Sequence, residues 1–285
     1  MIVVTGASGQ LGRLVIQSLL ARNVPAAQIV AAVRNPARAA DLAALGVQVR
    51  AADYTQPATL DAAFSGAEKL LLVSSSEVGQ RFPQHKNVVD AAKRAGVKLL
   101  AYTSLLRADT SPLGLRDEHV ATEQYLRESG VPHVVLRNGW YTENYLASIP
   151  PALQHGAYIG SAGEGRIASA ARADYADAAA VVLTSLDQAG KVYELAGDTS
   201  YTLAEFAAEL SRQSGKQIPY VNMSEAEFKG ALLGAGLPEP IAALLADSDI
   251  GASKGGLFDD SRTLSQLIGR PTAALAALMQ VALKH

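Results

Sequence analysis

VVTGASGQLGRLV, residues 3–15, opens on an apolar run, breaks it with Gly6, Gly9 and Gly12, and resumes with helix-forming residues. Glycine permits a tight turn there and lets the backbone approach a pyrophosphate. The N-terminus of the following helix offers free N–H groups and a partial positive charge. Three glycines alone are a weak signal. Set between a first strand and a first helix, they predict a dinucleotide-binding turn. The alternative is a tight strand–helix turn without a ligand.

Outward from this turn the same rhythm repeats. MIVVT (1–5), QIVAAV (28–33), VQVRA (47–51), KLLLVS (69–74), KLLAYTS (98–104) and HVVLRN (133–138) read as strands. Their non-alternating, Val/Leu/Ile-rich character suits a parallel sheet covered on both faces. Helical patterns span 10–22, 36–45, 57–64, 79–95 and 115–129, each stopping near Asn23, Gly46, Gly66, Gly96 or Gly130. Six strands with five helical crossovers predict an α/β fold, a doubly wound Rossmann-type parallel sheet.

After residue 140 the pattern changes. WYTENYLASIPPALQHG (140–156) is mixed and loop-like, with Pro150-Pro151 as a breaker. Residues 172–186 read as helix and 191–197 as strand. Beyond 200, helices are expected at 202–214, 224–233, 239–247 and 271–283. DSDIGASKGGLFDD (247–260) reads as a loop, whose glycines suit either a hinged lid or a static connection. The expected division is a Rossmann domain of 1–140 plus about 168–197, and a smaller helix-rich C-terminal lobe of about 141–167 and 198–285.

Composition narrows the function. The 285 residues carry a formal net charge of −2, so there is no basic excess to hold nucleic acid or an anionic membrane. Cysteine is absent. That excludes disulfides, thiolate nucleophiles, iron–sulfur clusters and cysteine zinc sites. No apolar run approaches the ~20 residues of a membrane span, and MIVV lacks the basic region of a signal peptide. A soluble cytoplasmic protein is expected, monomer or homodimer, without a metal.

Ligands of open α/β sheets collect at the carboxyl ends of the strands. The second strand ends at Arg34, with no acid to grip a ribose 2′-hydroxyl; an arginine there accepts a 2′-phosphate, which points to NADP(H) over NAD(H). A surface arginine followed by Asn35 as a helix cap is the plainer alternative. Asp53, ending the third strand, suits an adenine contact or a turn before Thr55 and Pro57. The fourth strand ends in Ser74, Ser75 and Ser76, the fifth in Ser104, and the sixth in Asn138, Gly139, Trp140 and Tyr141. Hydroxyls and the Asn138 amide suit bonds to ribose and carboxamide, and Trp140 and Tyr141 suit stacking on a flat acceptor. The serines also fit a merely soluble loop, and Trp140 a hinge filler.

TGASGQLG, AAVRNP, ADY, KLLLVSSSEVGQR, GVKLLAYTSLL, DEHVATE and LRNGWYTENYLAS together resemble the NmrA-like atypical short-chain dehydrogenase/reductases. The likeness is closest to their NAD(P)H:quinone oxidoreductase branch and weaker to triphenylmethane-dye reductases. YELAGD, LSRQSGK and the 247–260 segment extend it over essentially the whole chain. The resemblance implies a bilobed fold, NADPH as cofactor and a small-molecule quinone as hydride acceptor. It implies that Gly6, Ala7, Ser8, Gly9, Gln10 and Leu11, with Gly12 closing the motif, hold the pyrophosphate. Arg34 would meet the 2′-phosphate and Ser74 to Ser76 flank the nicotinamide. Asn138, Gly139, Trp140, Tyr141, Thr142 and Glu143 would border the same end.

One departure bears on mechanism. Typical short-chain dehydrogenases carry Tyr-x-x-x-Lys on the helix after strand five; here that register holds His119 and Glu123. An alcohol–ketone reaction is therefore not expected. A quinone needs less help, because hydride arrival yields a weakly basic hydroquinone anion that water can protonate. Catalysis then reduces to positioning and to hydrogen bonds on the developing oxyanion, with Asn138, Tyr141 and Ser104 as donors. His119 stays open: a proton donor with an ordinary pKa near 6.5, or half of an i,i+4 pair with Glu123 on a partly exposed helix. The other histidines, 85, 133, 155 and 285, lack the spacing to complete a zinc tetrahedron. Two rivals remain: an NADP-binding sensor without turnover, and a reductase of cationic or azo dyes.

Overall fold

The computed structural model describes residues 1–284. Strands β1 (Ile2–Thr5), β2 (Ile29–Val33), β3 (Gln48–Ala51), β4 (Lys69–Leu72), β5 (Leu99–Leu105) and β6 (His133–Asn138) alternate with helices α1 (Gln10–Ala21), α2 (Ala40–Ala44), α3 (Pro57–Ala63), α4 (Arg81–Arg94) and α5 (Arg116–Ser129). Next come α6 (Thr142–Leu146), α7 (Ile149–His155), β7 (Tyr158–Gly160), α8 (Arg172–Thr184), β8 (Val192–Leu195) and α9 (Leu203–Ser214). The chain ends with β9 (Tyr220–Asn222), α10 (Glu225–Gly234), α11 (Glu239–Ser253), α12 (Thr263–Ile268) and α13 (Leu275–Ala282).

Seven strands form one sheet in the order β3-β2-β1-β4-β5-β6-β8, and β1 to β6 pair in parallel. The order reverses between β1 and β4, the switch point where such sheets open a crevice. Every residue of β2 and β5 is buried. Both faces are covered, which is why these strands read as unbroken apolar runs. Leu60, Phe64, Val88, Val89 and Leu126 pack with Leu70, Leu72, Leu100 and Tyr102 in the main core. Elsewhere α1 packs along α8, whose alanines 176, 178, 179 and 180 are all buried.

The chain divides into two compact units. One holds Met1–Ala108, Asp117–Asn138 and Arg172–Tyr193; the other holds Asp109–Arg116, Gly139–Ala171 and the chain from Glu194 onward. In the second, capping boxes fix two helix starts. Thr202 and Glu205 close α9, and Ser224 and Glu227 close α10, each pair exchanging side-chain and backbone bonds. Tyr145, Tyr158, Tyr201 and Phe206 stack into its aromatic centre, with ring centroids 4.8–6.3 Å apart.

Two expectations for this unit fail. Pro150 and Pro151 do not break structure; they stand in the first turn of α7, where a missing N–H costs nothing and a fixed φ suits the helix. The 247–260 stretch is not a loop throughout, because α11 runs to Ser253. Of its three glycines, Gly255 stands in open space at φ +81°, and the other two face a neighbour. A Cβ at Gly251 or Gly256 would lie 2.8 or 2.6 Å from the Leu113 side chain, so both are packing positions. Strands β7 and β9, paired in parallel, were not anticipated. Three residues are too few to display a period.

Asp249 of α11 is buried and accepts the Ser161 N–H at 2.8 Å. Burial pushes its pKa up to about 6, against the lowering pull of that hydrogen bond. The unfolded carboxyl ionises near 3.8 and the folded one near 6, so stability falls as pH rises between them, and above pH 6 the full penalty is present. Asp249→Asn should therefore stabilise the protein by about 2–3 kcal/mol at about pH 8 and by almost nothing at about pH 4. Denaturant midpoints at the two pH values test this, and a variant no more stable at the higher pH would refute it.

Candidate functional site

The turn after β1 is shaped by what glycine leaves out. Gly6 sits at φ +58°, in the left-handed region. A Cβ on Gly12 would lie 2.6 Å from the Gly6 oxygen and 2.7 Å from the Ala7 Cα, both backbone atoms that cannot yield. Gly9 is the N-cap of α1 and no side chain caps the helix. The first N–H groups of α1 are therefore available to an anion.

A cavity of about 290 Å³ opens beside this turn, lined by Gly6, Ser8, Gly9, Arg34, Asp53, Ser74, Ser75 and Ser76 among others. The structure thus gathers the ends of β1 to β4 around one hollow. Ala7, Gln10, Leu11 and Gly12 belong to the same turn but do not line it. Asp53 makes the turn: its Oδ1 accepts the Thr55 N–H at 2.8 Å and the Thr55 hydroxyl at 2.7 Å. These bonds come first among the causes holding its carboxyl below the usual range, and Arg34 adds to them. Its position on the lining leaves the adenine contact compatible with that turn.

Sequence reasoning missed six lining residues: Arg38, Ala52, Tyr54, Val73, Glu77 and Gln84. A second basic residue just after Arg34 was a usable signal for Arg38. Tyr54 donates to the Val73 carbonyl at 2.9 Å and lies 2.5 Å from the Thr5 hydroxyl, which ties β1 to the end of β4.

The loop 74–80 is strapped from below. His85 Nε2 accepts the Ser75 N–H at 2.9 Å, and Arg81 Nε donates to the Ser75 carbonyl at 2.7 Å. Since Nε2 accepts, the proton sits on Nδ1, 3.0 Å from Thr122 Oγ1, which itself donates to the Glu118 carbonyl. Burial first, then nearby Arg81, pushes the His85 pKa down to about 3. Neutral imidazole is thus the form that holds this loop.

At the ends of β5 and β6 the residues of the expected relay register are otherwise engaged. Glu123 is buried and pairs twice with Arg137, Nε to Oε1 at 3.0 Å and Nη2 to Oε2 at 2.6 Å. Ser104 donates to the same Oε1 at 2.6 Å. The hydroxyl has one proton and spends it there, so Ser104 is not an oxyanion donor as expected. His119 is also buried, with Nδ1 2.7 Å from the Tyr102 hydroxyl. Burial, then Arg81 and His85, hold its pKa well below the usual value. The His119–Glu123 pair expected on a partly exposed helix is therefore corrected to two buried groups with separate partners, and at neutral pH His119 is an uncharged imidazole rather than an acid.

Asn138 stands at the end of β6, buried, with its Oδ1 lacking a partner. A buried polar atom left unpaired is costly. Gly139, Trp140, Tyr141, Thr142 and Glu143 lie in the second unit. There Trp140 is buried, Tyr141 bridges to Ala170, and Thr142 bonds Ser169 at 2.8 Å. Among the described residues no cluster of three or more His, Asp or Glu could hold a metal, and no helix is long and apolar enough to cross a membrane.

An uncapped helix start, a glycine cradle, two arginines and an orphaned amide oxygen fit a phosphorylated dinucleotide. Residues 6–187 match the NAD(P)H-binding family. The chain belongs to that family. It is 65% identical to quinone oxidoreductase 2 of Escherichia coli strain K12, over 97% of this chain and 96% of that one. A crystal structure of the E. coli NADPH-dependent quinone oxidoreductase complexed with NADPH superposes with a TM-score of 0.97 at 63% identity, covering 99% of this chain and 100% of that one. The triphenylmethane reductase of Citrobacter sp. superposes at TM-score 0.94 and 41% identity, covering 100% of this chain and 99% of that one. This NAD(P)H-binding chain is thus similar over its whole length to a quinone oxidoreductase and to a triphenylmethane reductase.

Glu123→Gln should destabilise the protein by about 3 kcal/mol, because Arg137 then stays buried without its carboxylate. Urea unfolding measures it, and a loss within the error of a surface substitution would contradict the buried pair.

Proposed function

We propose that this chain is a cytoplasmic NADPH-dependent quinone reductase that works without a side-chain proton relay. The observation that carries the reading is its full-length likeness to quinone oxidoreductase 2. It is joined to a helix α5 whose relay register holds a salt-bridged Glu123 and a neutral His119. When bound, NADPH supplies the hydride.

The chain's own residues bind and orient. The N–H groups opening α1 and the turn of Gly6 to Gly12 receive the pyrophosphate. Arg34 and Arg38 flank the adenosine end, and an arginine fork matches a phosphate better than a hydroxyl. Ser74 to Ser76 border the nicotinamide side on the loop held by His85. Asn138 offers its unpartnered Oδ1 to the carboxamide, and its amide N–H groups turn toward the acceptor oxygen. Charge arriving on the quinone oxygen is stabilised by these fixed dipoles, and the hydroquinone monoanion takes its one remaining proton from water.

The likeness to triphenylmethane reductase supports a second reading, in which the acceptor is a cationic dye. Purified protein given NADPH should oxidise it on addition of a simple quinone, monitored as loss of the reduced-nicotinamide absorbance. Turnover with dyes alone would favour the second reading, and saturable NADPH binding without any oxidation would favour a redox sensor. Asn138→Ala should cut quinone turnover by at least about tenfold while NADPH still binds. Unchanged turnover would remove Asn138 from the site.

A further inference from the structure

The charges around the cavity do not favour a phosphate as they stand. Arg34 and Arg38 line it, but so do Asp53 and Glu77. Glu77 is not a loose surface acid. Arg34 Nη1 donates to its Oε1 at 2.9 Å, Gln84 Nε2 donates to its Oε2 at 2.7 Å, and its own N–H is taken by Ser75 Oγ at 3.1 Å. Both carboxylate oxygens are thus held, one of them by the arginine expected to meet a 2′-phosphate. Arg38, by contrast, has no ion pair among the described residues.

We infer that Glu77 is a built-in competitor for Arg34, and that it sets how strongly this protein prefers NADPH to NADH. This rests on the proposed seat of the cofactor's adenosine end in this cavity. A guanidinium can fork two acceptors, but a carboxylate at 2.9 Å occupies one prong and cancels its charge toward a third group. A 2′-phosphate approaching Arg34 meets two costs. It must share or displace the Glu77 bond, and it is repelled by the carboxylate. A cofactor with a bare 2′-hydroxyl meets neither. The wild-type preference for the phosphorylated cofactor is therefore smaller than two arginines alone would provide. The strap through Gln84 and Ser75 keeps the competitor in place.

The test is direct binding, independent of turnover. NADP+ and NAD+ are titrated calorimetrically into wild type, Glu77→Gln and the double variant Glu77→Gln/Arg34→Gln. Glutamine keeps the shape and removes the charge; its one amide oxygen can still accept from Arg34, while its NH2 group donates to the Gln84 amide oxygen once that amide turns over. Exposed charge pairs are worth up to about 1 kcal/mol, so Glu77→Gln should tighten NADP+ by about three- to fivefold and leave NAD+ nearly unchanged. In the double variant the gain should disappear. Adenosine 2′,5′-bisphosphate should repeat the NADP+ pattern as a probe without nicotinamide. A Glu77→Gln variant that binds NADP+ equally or more weakly would overturn the inference and make Glu77 a residue that orients Arg34. Equal tightening of NADP+ and NAD+ would overturn it too, as a general loop effect. If wild type binds neither nucleotide, the proposed seat fails instead. Because Glu77 is exposed, the thermal midpoint of Glu77→Gln should match wild type, which keeps a folding defect distinguishable.

Discussion

A carboxylate taken out of water must be paired, and Glu123 is paired completely. Its two oxygens accept from Nε and Nη2 of the Arg137 guanidinium and from the Ser104 hydroxyl, at 2.6–3.0 Å. Those three residues come from α5, β6 and β5 respectively. The bond set therefore pins the helix to the ends of two strands, one residue before Asn138. Breaking such a pair leaves a buried charge, whereas keeping it costs the site a proton donor. In the usual short-chain dehydrogenases this helix presents an acid–base pair; here it presents a lock. On the proposed reading, the chemistry left to the site is positioning and charge stabilisation, which suits an acceptor that becomes aromatic on reduction.

The second constraint is local to β1. Gly12 has backbone 2.6 Å from where a side chain would begin, so helix and turn touch directly. That contact aims the start of α1 into the cavity. Around it the protein sets opposed charges instead of a uniformly basic pocket. The His85 contact, neutral because it is buried, fixes the loop that carries one of those charges. Loop position is thus set by a residue that holds the lining residue Ser75 from behind without itself lining the cavity.

Much of this was legible in the sequence, for identifiable reasons. Strands buried on both faces must be apolar throughout, so β1 to β6 stood out, and the glycine spacing located the phosphate turn. The features that escaped notice depend on distant neighbours. The His119–Glu123 spacing looks the same on a wet helix as on a buried one; only Tyr102 and Arg137, from other strands, decide it. Pro150-Pro151 is a breaker or a helix start depending on whether residues 152–155 go on as helix. Asp249 and Gly251 have loop-like chemistry, but one accepts the Ser161 N–H and the other admits the Leu113 side chain, so both serve a helix. Glu77 resembled any surface acid until its two oxygens were seen to be held.

The central claim is reduction without a side-chain relay, and a pair of isotope effects on quinone turnover bears on it most directly. NADPH carrying deuterium at the transferred nicotinamide C4 position is compared with ordinary NADPH, in light and in heavy water, at saturating quinone. A clear primary effect together with a solvent effect near unity is predicted, since proton arrival comes after the committed step. A large solvent isotope effect that multiplies with the primary one would place a proton in the same transition state and contradict it.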